Sequence, residues 1–471
     1  MIFQRLSRNM FDSAPLHLRA VLRRAISRSK IWIAFCGVIA AICQPVGASA
    51  NTVLLPQNVQ QVMQPNSQSQ SVLVLTLPGW PVILLPDFSS RPLFGTRIPY
   101  RSYDPPYEMC DPCANDRSVG LDEFVVTAVG DVMLGTTFPD ESSLPPNDGA
   151  DLLMEVTPFL KHGDIVFGNL EGPIVDGGTS LKCKGKAEGR CFAFRVPTRY
   201  GKYLKDAGFT VMGLANNHAM DFGQEGRTSS RQTLDAMQIA HTGEVGDIAR
   251  LTVKGRKVDV IAFATYPGAY NFLDLDESLQ AIRAAKAEAD LVIVGFHGGA
   301  EGATHQHVLE GDETFLGEDR GDLRRFTHAA VDAGADLVLG SGPHVVRAME
   351  IYKGKLIAYS LGNFATYGPF NLSAENGLSL VLEAHLALDG RFIRGQAYPV
   401  KQEKPGGPKV DPEMKVLPVL RGLSNADFPQ SAVVVGPQGE LWLPGTEIPL
   451  CSNAPNLLEQ RFGAKPCGIF P

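Results

Sequence analysis

Five segments of this 471-residue chain carry side chains able to hold a metal ion or move a proton: Asp131, Asn169 with Glu171, Asn216-Asn217-His218, His297 and His344. Each follows closely on a short β-branched run, so each is expected just past a separate strand. In open α/β sheets the ligand crevice lies beyond the carboxyl ends of the strands, and side chains from separated segments converge there. Carboxylate, amide oxygen and imidazole together form a ligand set of intermediate hardness, suited to Mn, Fe or Zn. No cysteine belongs to the set. Taken singly, each residue has a plain structural reading: Gly130-Asp131 and Asn216-Asn217 as turns, His344 after Pro343 as a loop cap, His297 as a core histidine bonded to backbone. Their joint placement is what favours a site. His305 and His307 lie in a polar loop that follows no strand and are expected to face solvent. Asp221 and Glu301 are placed either to orient the neighbouring histidines or to form ordinary ion pairs.

The elements that must position these residues are set by periodicity. Strands are expected near 124–129, 164–168, 209–214, 257–264, 290–296, 335–339 and 356–360. Amphipathic helical stretches lie between them, the pattern of βα units around a buried sheet. The stretch 322–332 places Leu323, Phe326, Ala330 and Val331 on one helical face, and Gly334 ends it. Further strands follow at 378–386 and 392–400, after which the chain is rich in Pro and Gly and is expected to be an irregular extension over 401–471. The α/β domain thus runs from 121 to 400.

The first fifty residues carry seven Lys or Arg against one acid, so the overall charge of −7 becomes −13 for the remainder. That balance argues against a nucleic acid held through general phosphate attraction. The apolar run Ile31 to Cys43 is short for a membrane span of about 20 residues. With a basic flank before it and Ala48-Ser49-Ala50 after it, residues 1–50 read as a signal peptide, an uncleaved anchor being the alternative. Export, to a periplasmic or extracellular location, leaves six cysteines where disulfides are permitted. Nearest-neighbour pairing gives Cys110–Cys113, Cys183–Cys191 and Cys451–Cys467. Residues 51–120 form a Gln-rich tether followed by an irregular, Pro-rich extension.

The segments Ala128-Val-Gly-Asp-Val-Met-Leu-Gly135, Gly168-Asn-Leu-Glu-Gly-Pro173, Leu214-Ala-Asn-Asn-His-Ala-Met-Asp-Phe-Gly223, Phe296-His-Gly-Gly-Ala-Glu301 and Tyr359-Ser-Leu-Gly-Asn-Phe364 resemble, in order and spacing, the motifs of the CapA family of capsule and poly-γ-glutamate synthesis proteins. The resemblance covers about 124 to 400. Through that family's likeness to calcineurin-type metallophosphoesterases it implies a layered β sandwich flanked by helices, with one or two divalent metal ions at the strand ends. It also implies Asp131 and Glu171 as acidic ligands, Asn217 as an amide ligand, and His297 and His344 as imidazole ligands. His218 would be a general acid protonating a leaving group, with Asp221 beside it in the catalytic pair.

Two positions depart from the pattern. Asp-x-His of the metallophosphoesterases is here Asp131-Val-Met133, and Gly-His-x-Pro-His of many relatives is here Gly340-Ser341-Gly-Pro-His344. Thioether and hydroxyl are poor ligands for a hard divalent ion, so a second metal position is expected to be weak or lost. The resemblance therefore implies either a hydrolase acting on a phosphoester or related bond during assembly or release of an extracellular polymer, poly-γ-glutamate or polysaccharide, or a non-catalytic export or scaffold component that binds it beside a membrane synthesis complex. No glycine-rich phosphate loop opens a helix, which argues against a nucleotide-binding protein.

Overall fold

The computed structural model of the protein describes residues 72–75, 83–86, 123–180, 182–183 and 191–447. The expected signal peptide and Cys110, Cys113, Cys451 and Cys467 lie outside the described residues. Within the segment expected to be irregular, Val72–Leu75 and Ile83–Pro86 pair as a two-stranded antiparallel ribbon, in a unit distinct from residues 109–471.

The main unit is built on β1 (Glu123–Met133), an apolar strand buried along its whole length. Parallel to it run β2 (Ile165–Leu170) and then β3 (Val211–Gly213), while Leu378–Ala387 and Phe392–Lys401 extend the sheet antiparallel on the other side. Ten strands make up this sheet. A second sheet of seven strands has β4 (Leu291–His297) at its centre, parallel to Arg256–Ala264 on one side and to β5 (Leu337–Ser341) on the other. These strands match the sequence-based expectation because short, nearly continuous runs of Val, Ile, Leu and Phe are what a sheet covered on both faces requires, and β1, β2, β4 and β5 are buried at every residue.

Three apolar layers show how the sheets stack. Phe124, Val126 and Ala128 of β1 meet Val258, Val260, Leu291, Ile293, Leu337 and Leu339 in one cluster, which lies between the two sheets. Leu204 of helix α1 (Gly201–Ala207) and Leu234 of α2 (Gly223–Ala236) join Val129, Val166 and Met212 on the outer face of the first sheet. Leu279 and Ile282 of α3 (Leu275–Glu288), with Phe326 and Ala330 of α4 (Leu323–Ala333), cover Val292, Val294 and Val338 on the outer face of the second. The result is the expected layered β sandwich with helices on both outer faces.

The expectation of an irregular chain from 401 onward is corrected. Lys409–Val410, Val434–Val435 and Glu440–Trp442 join the first sheet. Helix α5 (Val416–Asp427) buries Val416, Leu417 and Leu420 in the inter-sheet cluster. Pro418 obscured this helix in the sequence, yet it sits in the first turn, where a missing N–H breaks no intrahelical bond.

One glycine matters to the site because the backbone approaches it closely. A Cβ on Gly130 would stand 1.9 Å from the carbonyl oxygen of Gly362, and Asp131 N donates to that same oxygen at 3.0 Å. Gly130→Ala is therefore expected to lower stability by about 1–3 kcal/mol, the usual scale of overpacking, read as a lower urea midpoint. A midpoint equal to the parent protein would show that β1 and the 361–363 segment separate freely.

Candidate metal centre

Four of the five expected ligands come together at the strand ends: Asp131 near the end of β1, Glu171 just past β2, His297 as the last residue of β4 and His344 in the turn after β5. Asp131 Oδ2 lies 3.1 Å from His344 Nδ1, and Asp131 Oδ1 lies 3.8 Å from His297 Nδ1. Glu171 Oε1 lies 3.5 Å from His344 Nε2 and 4.0 Å from His297 Nε2. Asp131, Glu171 and His344 each place a ligand atom within 4.8 Å of the others. His344 reaches this point from the turn after β5, with a left-handed φ of +58°. That conformation is uncommon outside glycine and is held here by the surrounding contacts.

A network of amides holds the Asp131 carboxylate and the His344 ring in place. Asn169 Nδ2 donates to Asp131 Oδ1 at 2.8 Å, and Asn216 Nδ2 donates to Asn169 Oδ1 at 3.1 Å. Asn363 Oδ1 lies 3.0 Å from His344 Nδ1. The two departures from the family pattern fall outside the ligand cluster. Met133 is buried in the apolar cluster on the outer face of the sheet, and Ser341 Oγ donates to the carbonyl of Phe296 while lying 3.3 Å from His297 Nδ1.

Burial pushes the Glu171 carboxyl well above its ordinary range, and Asp131 and Glu301 add to the rise. Burial also pushes His297 well below the ordinary histidine value, which leaves a neutral imidazole with ligand capacity. For His344 burial is outweighed by Glu171, Asp131 and Glu301, and its value is pushed up to about 10. Three acids around one imidazole make a place that favours positive charge.

The donor set fits a divalent cation. Glu171 Oε1 and Oε2, His297 Nε2 and Asn217 Oδ1 are all buried without a hydrogen-bond partner. Buried polar atoms are ordinarily paired, so the orphaned Glu171 Oε1 and His297 Nε2, 4.0 Å apart, ask for a ligand of their own, while Asn217 lines the cleft beside them.

Beside the cluster stands a second group. His218 Nδ1 lies 2.7 Å from Asp221 Oδ2, and burial lowers the pKa of this histidine. Lys182 Nζ pairs with Asp221 Oδ1 at 2.6 Å and donates to the Asn217 carbonyl at 2.9 Å. The Cys183–Cys191 disulfide is present. A cleft of about 390 Å³ opens over both groups, with Lys182, His218, His344, Phe194, Phe370 and Arg320 among its walls. Of the residues set aside, His307 is exposed and meets Asp427, while His305 Nδ1 lies 2.8 Å from the Glu301 carbonyl. Glu301 pairs with Arg320 at 3.1 Å and comes within 3.9 Å of His344 Nε2.

Lys182 and Arg320 were not singled out from sequence. Lys182 had one available signal, its place next to Cys183. Arg320 had none: it enters on the hairpin Glu313–Gly321, which folds back over the 298–301 turn through Arg320 Nε donating to Gly299 O at 2.9 Å.

Fold and site together define a layered α/β sandwich with an acid and imidazole cluster at its strand ends. The chain belongs to the bacterial capsule synthesis protein PGA_cap family, whose model matches residues 125–367. It is 29% identical over 294 residues to the capsule biosynthesis protein CapA of Bacillus anthracis, covering 58% of this chain and 66% of that protein. It is also 29% identical over 284 residues to the PGA biosynthesis protein CapA of Bacillus subtilis (strain 168), covering 56% of this chain and 67% of the relative. Among solved structures, a putative 5'-nucleotidase from Staphylococcus aureus aligns at 14% identity and a TM-score of 0.31 over 61% of this chain and 53% of its own.

Proposed function

We propose that this protein acts in capsule or poly-γ-glutamate biosynthesis as a metal-dependent hydrolase of phosphoester or related bonds in an exported polymer. The observation that carries the reading is the Glu171 carboxylate, fully buried with neither oxygen hydrogen-bonded, beside Asp131, His297 and His344. Asp131, Glu171, His297 and His344 would hold one divalent ion, with Asn217 Oδ1 as a further ligand. Bound there, the ion would supply Lewis acidity and a water of lowered pKa. The chain's own residues do the rest: Asn169 fixes the Asp131 carboxylate, Asp221 orients His218, and His218 gives a proton to the leaving oxygen. Met133 and Ser341, neither of them aimed at the cluster as a ligand, favour one ion over two.

The names of the relatives support association with the polymer and with the cell envelope, as does the basic, apolar leader of residues 1–50. No described helix is long and apolar enough to cross a membrane.

The test is metal analysis of the purified protein together with an assay on an aryl phosphodiester with added Mn²⁺. About one ion per chain and metal-dependent turnover are expected, on the chemistry of such a donor set. A metal-free protein without turnover would reject the hydrolase. The second reading, a polymer-binding scaffold that keeps the fold, draws on the same two departures at Met133 and Ser341, and bound metal without turnover would select it.

A further inference from the structure

Asp221 is gripped from both sides by residues adjoining one disulfide. Lys182, next to Cys183, holds Oδ1 at 2.6 Å, and the backbone N–H of Phe194, three residues past Cys191, donates to Oδ2 at 2.8 Å. Oδ2 is also the oxygen that meets His218 Nδ1 at 2.7 Å. The Phe194 ring lies against the His218 imidazole, 4.3 Å between centroids. Lys182 Nζ completes the arrangement by donating to the Asn217 carbonyl and standing 3.0 Å from His218 Nδ1. Among the described residues, Lys182 Nζ is the contact that His218 Nδ1 makes besides Asp221, and Asp221 itself is held by Lys182 and Phe194 on either side of the disulfide.

We propose that Lys182, tethered by the Cys183–Cys191 disulfide, is a positioning residue that sets the orientation of His218 through Asp221. The proposal rests on the reading of His218 as the proton donor. With Oδ1 engaged by Lys182, the Asp221 carboxylate cannot rotate, so Oδ2 stays on the Nδ1 side of the ring and Nε2 is directed away from it. Lys182 also offsets the Asp221 charge, and without it a carboxylate with no exposed surface would lose its ion-pair partner.

The experiment compares Lys182→Met, Lys182→Arg and Cys183→Ser/Cys191→Ser in the full chain. It measures aryl phosphodiester turnover with Mn²⁺, bound metal, and the ring ¹⁵N signals of His218 in histidine-labelled protein. Thermal midpoints identify the variants that remain folded. Lys182→Met is expected to lower kcat about 10–100-fold with KM and metal content little changed, the usual cost of losing an orienting partner. Lys182→Arg should recover most of the loss, and the His218 ring signals should move in Lys182→Met and in the double serine variant. A Lys182→Met protein with parental kcat and unmoved His218 signals overturns the proposal. So does loss of metal in step with loss of rate, which would make Lys182 part of the ion's own support. Unmoved signals in the double serine variant alone would remove the disulfide from it. If the parent protein has no turnover, the hydrolase reading fails, while the His218 signals still decide the role of Lys182.

Discussion

His218→Ala is expected to keep its metal and lose about 10²–10⁴ in turnover, the share of a positioned general acid. The separation follows from where the residues stand. His218 is tied by Nδ1 to Asp221 and Lys182, whereas the proposed ion site is formed by Asp131, Glu171, His297 and His344. On the proposed roles, truncating the ring removes the proton donor and leaves those four in place. Asp131→Ala is expected to do the reverse and lose the metal, because Asp131 lies against both His297 and His344 and is the cluster carboxylate held in place by Asn169. Metal content and single-turnover rates of the two variants check this. Equal rates in both variants and the parent would remove the catalytic assignment.

Arg347→Ala is expected to destabilise the protein by about 3–5 kcal/mol, the cost of leaving one member of a buried ion pair alone. Arg347 has no exposed surface and forms a bidentate pair with Glu313, Nη1 and Nη2 each 2.8 Å from a carboxylate oxygen. Nη2 also donates to the Ala300 carbonyl, and Glu313 accepts from Ala300 N. Four contacts therefore tie the 298–301 turn, which follows His297, to the hairpin that carries Arg320. Urea denaturation measures the loss. Replacing both partners at once, as Arg347→Met with Glu313→Leu, should recover much of it, since a well-packed apolar pair costs little against a buried ion pair. An Arg347→Ala midpoint equal to the parent would show that the turn is held elsewhere.

These two expected effects come from different levels of the molecule. The His218 effect concerns a residue marked in the sequence by its position after a strand. The Arg347 effect concerns a side chain that no motif marks and that lies in a loop-to-hairpin contact spanning 34 residues.

The helix over Leu323–Ala333 was readable from the helical period of its apolar residues, and the strands from short, nearly continuous β-branched runs, the pattern of a sheet covered on both faces. That Asp131, Glu171, His297 and His344 converge was readable for a related reason: a polar group at or just past the end of a buried strand stands at the rim of the sheet, where side chains from several strands meet. The local disulfide Cys183–Cys191 was readable from proximity alone. Helix Val416–Asp427 was not, because Pro418 and the surrounding glycines read as a breaker until the core on either side supplied the burial that fixes a helix. Tertiary structure alone decided that Met133 faces the outer core and not the cluster. It alone brought Lys182 to Asp221 and laid the Glu313–Gly321 hairpin over the 298–301 turn. Periodicity tells which face of an element is buried, but a contact between segments far apart in sequence depends on how whole elements pack, and that is fixed only when the two sheets close on one core.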